Sequence, residues 1–202
     1  MENNLKEKFR EFKPYINGHE NMKKASVLIP IINIDGSHFI LFEVRSKSLR
    51  SQPSEISFPG GMIEEGESPI EACIRETCEE LGTTKDNIEI LSELDLFVNP
   101  SNMIIHPFVG FLKNHNELNP NPDEVDHTFL VPISYLLENK PMSFRNQVTV
   151  IPNDEFPYEL IPHKENYKFQ PGFYDSLFYK YKNYVIWGIT GKILENFLDI
   201  IS

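Results

Sequence analysis

The sequence predicts an α/β fold, arranged as an α/β/α sandwich, on two observations. Strand-like runs and helical patterns alternate along its 202 residues, with no internal repeat or low-complexity tract. A hydrophobic share of 40% over that length suffices for one core without disulfide or metal staples. The chain, 1–202, is therefore read as a single domain. Residues 1–24 form a helical extension, because Leu5, Phe9 and Phe12 recur three to four apart within 2–12. Residues 25–34 and 38–44 are strands joined around Asp35-Gly36, a pair suited to a hairpin turn. A helix starts at Ser68 as N-cap, with Pro69 as first helical residue and Glu71 closing a capping box. Strands follow at 88–97, 103–112, 127–132 and 144–151, with a short helix at 133–139 and a last helix at 188–200. The stretch 152–182 holds Pro152, Pro157, Pro162 and Pro171 among many aromatic residues and is expected to be irregular.

Composition narrows the function. Thirty acidic against nineteen basic residues give a net charge of −11, which argues against a nucleic-acid reader. An anionic ligand would need local cations, and Arg45, Lys47 and Arg50 form such a cluster. The first twelve residues are charged and lack an apolar run, so neither a signal peptide nor a membrane partner is expected. Cys73 and Cys78 lie five apart on one predicted helix and point in different directions, so they do not bridge. Free thiols suit a reducing compartment, and Ile200-Ile201-Ser202 is no peroxisomal address, so a cytoplasmic location is expected. Neither His106 nor His127 has a second histidine at zinc-ligand spacing, and no Gly-x-Ser-x-Gly elbow or P-loop is present.

The chemistry concentrates in 61–83, GMIEEGESPIEACIRETCEELGT. At about 100° per residue, Glu76, Glu79 and Glu80 share one sector of the helix. Ile70, Ile74, Cys78 and Leu81 lie roughly opposite and form the expected core stripe, with small Ala72 beside the glutamates. Like charges at helical spacing repel, and a hard divalent cation such as Mg²⁺ or Mn²⁺ removes that penalty. Arg75, next to Glu76 and four before Glu79, can orient the carboxylates. A solvated acidic face would be the plainer reading of the three glutamates taken alone.

The whole run resembles the Nudix box: Gly61, five residues, Glu67, seven residues, Arg75-Glu76, then Glu79-Glu80 and Gly82. Thr77 and Thr83 replace more hydrophobic residues at packing positions, while every acidic position is intact. The resemblance implies a sandwich with a mixed central sheet and hydrolysis of a diphosphate linked to a nucleoside. It implies that Glu76, Glu79 and Glu80 hold the metal with the Gly61 carbonyl, and that Glu67 and Arg75 support the loop and helix. A catalytically silent nucleotide-binding module would be the reading from another class, but such modules usually lose box carboxylates.

Upstream, Arg45-Ser46, Arg50 and Phe58-Pro59-Gly60-Gly61 resemble the extra signature of coenzyme A pyrophosphatases, except that Ser54 stands where that signature has Gly. A turn needing positive φ would feel that change. Downstream, 94–110 and Ile186-Trp187-Gly188-Ile189-Thr190 are similar to the same subfamily, and Asp123-Glu124-Val125 followed by Phe129-Leu130-Val131-Pro132 resembles the usual Nudix loop and strand after the box. The implied substrate is coenzyme A or a derivative, cut to 3′,5′-ADP and 4′-phosphopantetheine. Arg45 and Arg50 are the expected phosphate contacts, with Lys47 beside them, since an Arg fork engages phosphate in bidentate fashion. Glu124 is the candidate general base or further metal ligand, with Asp123 and Asp126 as neighbouring competitors. ADP-ribose, a dinucleotide or a noncanonical nucleoside triphosphate are the other substrates the box allows. The 152–182 segment either stacks on adenine or pantetheine, or forms an irregular cap or half of a homodimer interface.

Overall fold

The computed structural model describes residues 2–202, with side chains described from Leu5 onward. The order is α1 (Glu2–Glu11), β1 (Lys23–Ile34), β2 (Ser37–Arg45), β3 (Ile56–Ser57), β4 (Gly60–Met62) and α2 (Pro69–Leu81). Next come β5 (Ile88–Glu93), β6 (Phe97–Asn99), β7 (Met103–Leu112), β8 (Val125–Pro132) and α3 (Ile133–Glu138). The chain ends with β9 (Met142–Val148), β10 (Gly172–Tyr181), β11 (Tyr184–Trp187) and α4 (Gly188–Ile201).

β1 reads KKASVLIPIINI, a near-continuous apolar run, and such a run belongs in the middle of a sheet covered on both faces. It pairs with β2 and β4 antiparallel and with β7 parallel, which makes the eight-stranded sheet mixed. β8 extends β2, while β5 and β6 both lie on β7. Neighbouring side chains of β1 serve opposite faces, as the two-residue period requires. Leu28 and Ile32 pack with Leu41, Phe108 and the α2 residues Cys73 and Leu81. Ile29 and Ile31 pack with Phe42, Val131 and the α4 residues Ile193, Leu194 and Phe197. The sheet thus lies between α2 and α4, the expected α/β fold. The hairpin turn takes positive φ at Asp35 and Gly36, 51° and 81°.

Three expectations are corrected. The strand expected over 88–97 is two, because β7 carries Pro107 opposite the break and proline has no N–H to donate. There the chain shifts so that Leu94 N–H bonds the Pro107 carbonyl at 2.8 Å. The irregular stretch expected over 152–182 gives way at Gly172 to β10, which joins β9 and β11 in a separate three-stranded antiparallel sheet. Its sequence GFYDSLFYKY is rich in strand-favouring aromatic residues. Finally, the fully buried residues of α2 are Ala72, Cys73, Thr77, Glu80 and Leu81. Of the expected stripe, Leu81 is among them and Ile74 and Cys78 pack partly buried against the same cluster, while Ile70 falls outside it. Ile70 is 40% exposed. Burial of Glu80 turns Thr77 into the core, where its hydroxyl donates to the Cys73 carbonyl at 2.7 Å.

Ser54, in place of the signature glycine, takes φ 62°, so the turn forms with a side chain in the left-handed region. That region costs L-residues roughly 1–2 kcal/mol, partly offset by the entropy glycine loses on folding. Ser54→Gly is therefore expected to stabilise the protein by about 0.5–1 kcal/mol, read from the midpoint of urea unfolding. An unchanged or lower midpoint would contradict it.

Candidate active site

α2 begins with a reciprocal capping box, Ser68 N–H to Glu71 Oε2 at 2.9 Å and Glu71 N–H to Ser68 Oγ at 3.4 Å. It ends at Gly82, whose φ of 60° and contact with the Asn119 backbone leave no space for a Cβ. These two ends fix the helix against the sheet, and its glutamates then meet residues from β2, β4 and the loop before β8.

Glu80 is 5% exposed and accepts the Gly60 N–H at 2.7 Å. Glu43, 1% exposed on β2, accepts Ser57 Oγ at 2.8 Å. Burial, then the Glu43 charge, pushes the Glu80 carboxyl well above the usual carboxylate range. Burial likewise raises Glu43, with Glu124 adding to it and Ser57 and Arg45 opposing. Glu76 is raised by burial and by Glu79 and Glu124, against Arg75. Its carboxylate lies over Gly61, where a Cβ would collide with it. Glu79 is the outermost of the box carboxylates, 57% exposed.

Arg75 holds the periphery. Its Nε and Nη2 bond the two oxygens of Glu67 at 2.9 and 3.0 Å, and its Nη1 bonds Glu76 at 2.8 Å and Glu79 at 3.3 Å. Nη2 also donates to the Met62 carbonyl at 3.2 Å, so one guanidinium ties the loop to the helix. Hydrogen bonding to Arg75 lowers the Glu67 carboxyl from its ordinary value.

Glu124 is brought beside β2 by its carbonyl, which accepts the Ser46 N–H at 2.8 Å. Its two competitors stay on the surface: Asp123 is exposed, and Asp126 pairs with His127 Nδ1 at 2.7 Å. Of the basic residues, Arg45 is half-buried and lines a cavity of about 300 Å³ that also includes Gly60. Lys47 and Arg50 are exposed on the following loop. A larger cavity, about 590 Å³ between β5, β7 and the end of α4, contains no residue of the carboxylate group. The smaller one adjoins Glu80 through Gly60, whose N–H Glu80 accepts.

Glu43 is the residue that sequence reasoning missed. A carboxylate inside the buried run Ile40–Val44 is a strong signal, since unpaired charges are rarely buried without purpose.

Among the described residues, no three His, Cys, Asp or Glu side chains already converge tightly enough to hold an ion. The donor set nevertheless fits one. Glu43 Oε2 and Glu124 Oε2 are buried without a hydrogen-bond partner, and the neighbouring carboxylates repel one another, a deficit that a hard cation satisfies. The metal-free protein should show the cost. Glu43 and Glu80 have folded-state values above their ordinary 4.5, so the native state keeps their protons to higher pH than the unfolded chain. This stability is fully present below the ordinary value and is lost as pH rises through the folded values. The Tm of the metal-free protein is expected to fall from pH 6 to pH 9 and to be restored by saturating Mg²⁺ or Mn²⁺. A Tm flat with pH and indifferent to metal would contradict this.

Residues 22–151 match the family model described as NUDIX domain. A Mus musculus protein named peroxisomal coenzyme A diphosphatase NUDT7 is 32% identical over 177 residues, 87% of this chain and 69% of that one. A Caenorhabditis elegans protein named peroxisomal coenzyme A diphosphatase ndx-8 is 37% identical over 120 residues, 57% of this chain and 51% of that one. A solved Caenorhabditis elegans Ap4A hydrolase complex superposes with TM-score 0.49 at 20% identity, over 56% of this chain and 83% of that one. No helix among the described residues is long and apolar enough to cross a membrane. With the box carboxylates gathered at one end of a mixed sheet and the family model spanning them, the chain belongs to the Nudix family and is a Nudix-type pyrophosphate hydrolase.

Proposed function

We propose that the chain hydrolyses the diphosphate bond of coenzyme A or its derivatives, releasing 3′,5′-ADP and 4′-phosphopantetheine. The observation that carries this reading is the contact between the upstream signature and the carboxylates. Gly60 of Phe58-Pro59-Gly60-Gly61 bonds Glu80, and Arg45 lines the cavity that includes Gly60. The names of the mouse and nematode relatives support the same substrate. All of 1–202 acts as one catalytic unit in this reading, the small second sheet included.

Glu76, Glu79 and Glu80, with the Gly61 carbonyl, would hold Mg²⁺ or Mn²⁺, and Glu43 is close enough to Glu80 to join them or to hold a proton beside them. A bound divalent ion supplies charge neutralisation on the diphosphate and a more acidic water. The rest falls to the chain. Arg45 and Arg50, with Lys47, bind the phosphate oxygens and offset the overall negative charge. Glu124 accepts the proton of the attacking water as its oxygen bonds to phosphorus and the bridging P–O bond breaks. Glu67 and Arg75 keep Glu76 and Glu79 oriented.

The test is a parallel measurement of kcat/KM with coenzyme A, ADP-ribose, NADH and nucleoside triphosphates, each with Mg²⁺ and with Mn²⁺. The reading expects coenzyme A to lead. Faster turnover of another substrate would leave a Nudix hydrolase and remove the coenzyme A assignment.

A further inference from the structure

Two cavities that share lining residues make a cleft on the α4 side of the sheet. One is a cavity of about 300 Å³ lined by Arg45, Gly60 and Trp187 among others. Its apolar lining includes Ile56, Phe58, Met103, Ile105, Ile189 and Ile193. Trp187, Gly188 and Ile189 also line a second cavity of about 380 Å³, which continues to Asn99, Tyr174 and Ser176. The two cavities therefore meet at Trp187, which remains 44% exposed. Phe178 stacks on the indole with centroids 5.7 Å apart and planes 8° apart, so one face of the ring is already covered.

We propose that this cleft binds the pantetheine arm of the substrate, with the diphosphate at the Arg45–Gly60 end and the thiol end beyond Trp187. This rests on the coenzyme A reading and adds the direction in which the substrate lies. Arg45 Nε is buried without a hydrogen-bond partner, in the place where a phosphate oxygen would stand. Around it, apolar side chains mix with polar groups, Gln52, Glu55 and Thr190 in the first cavity and Asn99 and Ser176 in the second. Thr190 Oγ1 donates its proton to the Ile56 carbonyl at 3.1 Å and keeps its lone pairs for an amide N–H. Methylene groups broken by two amides suit such a mixed lining.

Trp187 is the single tryptophan of the chain, so its emission reports on this cleft alone. The experiment titrates the full-length protein, with Mg²⁺, using the two separated products, which cannot turn over. Saturable change of Trp187 emission with 4′-phosphopantetheine, and none with 3′,5′-ADP, is the expected result. In parallel, Ile189→Phe, which narrows the junction of the two cavities, is assayed with coenzyme A and with the methyl ester of 3′-phospho-ADP, which lacks the arm. KM for coenzyme A should rise about tenfold with kcat kept, while both constants for the methyl ester stay unchanged. A response to 3′,5′-ADP and not to phosphopantetheine, or equal KM changes for both substrates, overturns the placement even if coenzyme A is cleaved. Failure to cleave coenzyme A at all is read separately, from product release, and removes the reading beneath it.

Discussion

Glu80→Gln is expected to lower kcat about 10³-fold while raising the Tm of the metal-free protein at pH 8. The two effects share one cause. Glu80 is 5% exposed, and burial together with Glu43 raises its carboxyl well above the ordinary value. A glutamine of nearly the same shape keeps an oxygen to accept the Gly60 N–H, bonded at 2.7 Å to Glu80, and removes the charge. It also relieves the repulsion with Glu43, whose charge raises the Glu80 carboxyl. Replacing a buried like-charge contact by a neutral group stabilises the fold, while the ligand that Glu80 is proposed to offer a metal is lost. The stabilising effect of Mg²⁺ on the wild-type protein should shrink in the variant. Thermal denaturation and steady-state kinetics on one preparation decide it. Near-normal turnover would show that catalysis does not need Glu80, and a lower metal-free Tm that Glu80 is not strained by charge.

Gly61→Ala should cost about 10²-fold in kcat with little loss of fold, since a displacement near 1 Å in a catalytic group has that consequence. A Cβ on Gly61 would meet Glu76 Oε1 at 2.5 Å and Oε2 at 2.6 Å. The backbone there belongs to β4, paired with β1 at Ser26, and cannot yield as easily as the side chain. Glu76 must move, and with it the Arg75 bonds that hold Glu76 and Glu79. Gly66→Ala supplies the control. Gly66 has φ 83° with nothing within 4 Å of a Cβ, so that variant should lose about 1 kcal/mol of stability and no kcat. Equal kcat for Gly61→Ala and wild type would mean that Glu76 is dispensable.

What could be read in the sequence was local. The capping box at Ser68, the closing Gly82, the Asp35-Gly36 turn and the strand over 103–112 each rest on neighbours in the chain, and each appears in the structure. What could not be read depends on distant residues. Glu43 acquires its role only because β2 ends beside α2 and the loop carrying Glu124. The inward face of α2 includes Glu80 because Gly60, twenty residues earlier, offers it an N–H. The break between β5 and β6 is caused by Pro107 in the neighbouring strand, which no local pattern in 88–97 records. In β10 the aromatic residues fall on both faces and conceal the two-residue period, so the prolines before it dominated the reading.

The most direct measurement is mass analysis of products formed from coenzyme A in ¹⁸O-labelled water with Mg²⁺, for the wild-type protein and for Glu124→Gln. The account predicts 3′,5′-ADP and 4′-phosphopantetheine, with ¹⁸O on the phosphate of only one of them, formed about 10²-fold more slowly by the variant. Label outside the phosphates, or intact coenzyme A while ADP-ribose is consumed, would contradict it.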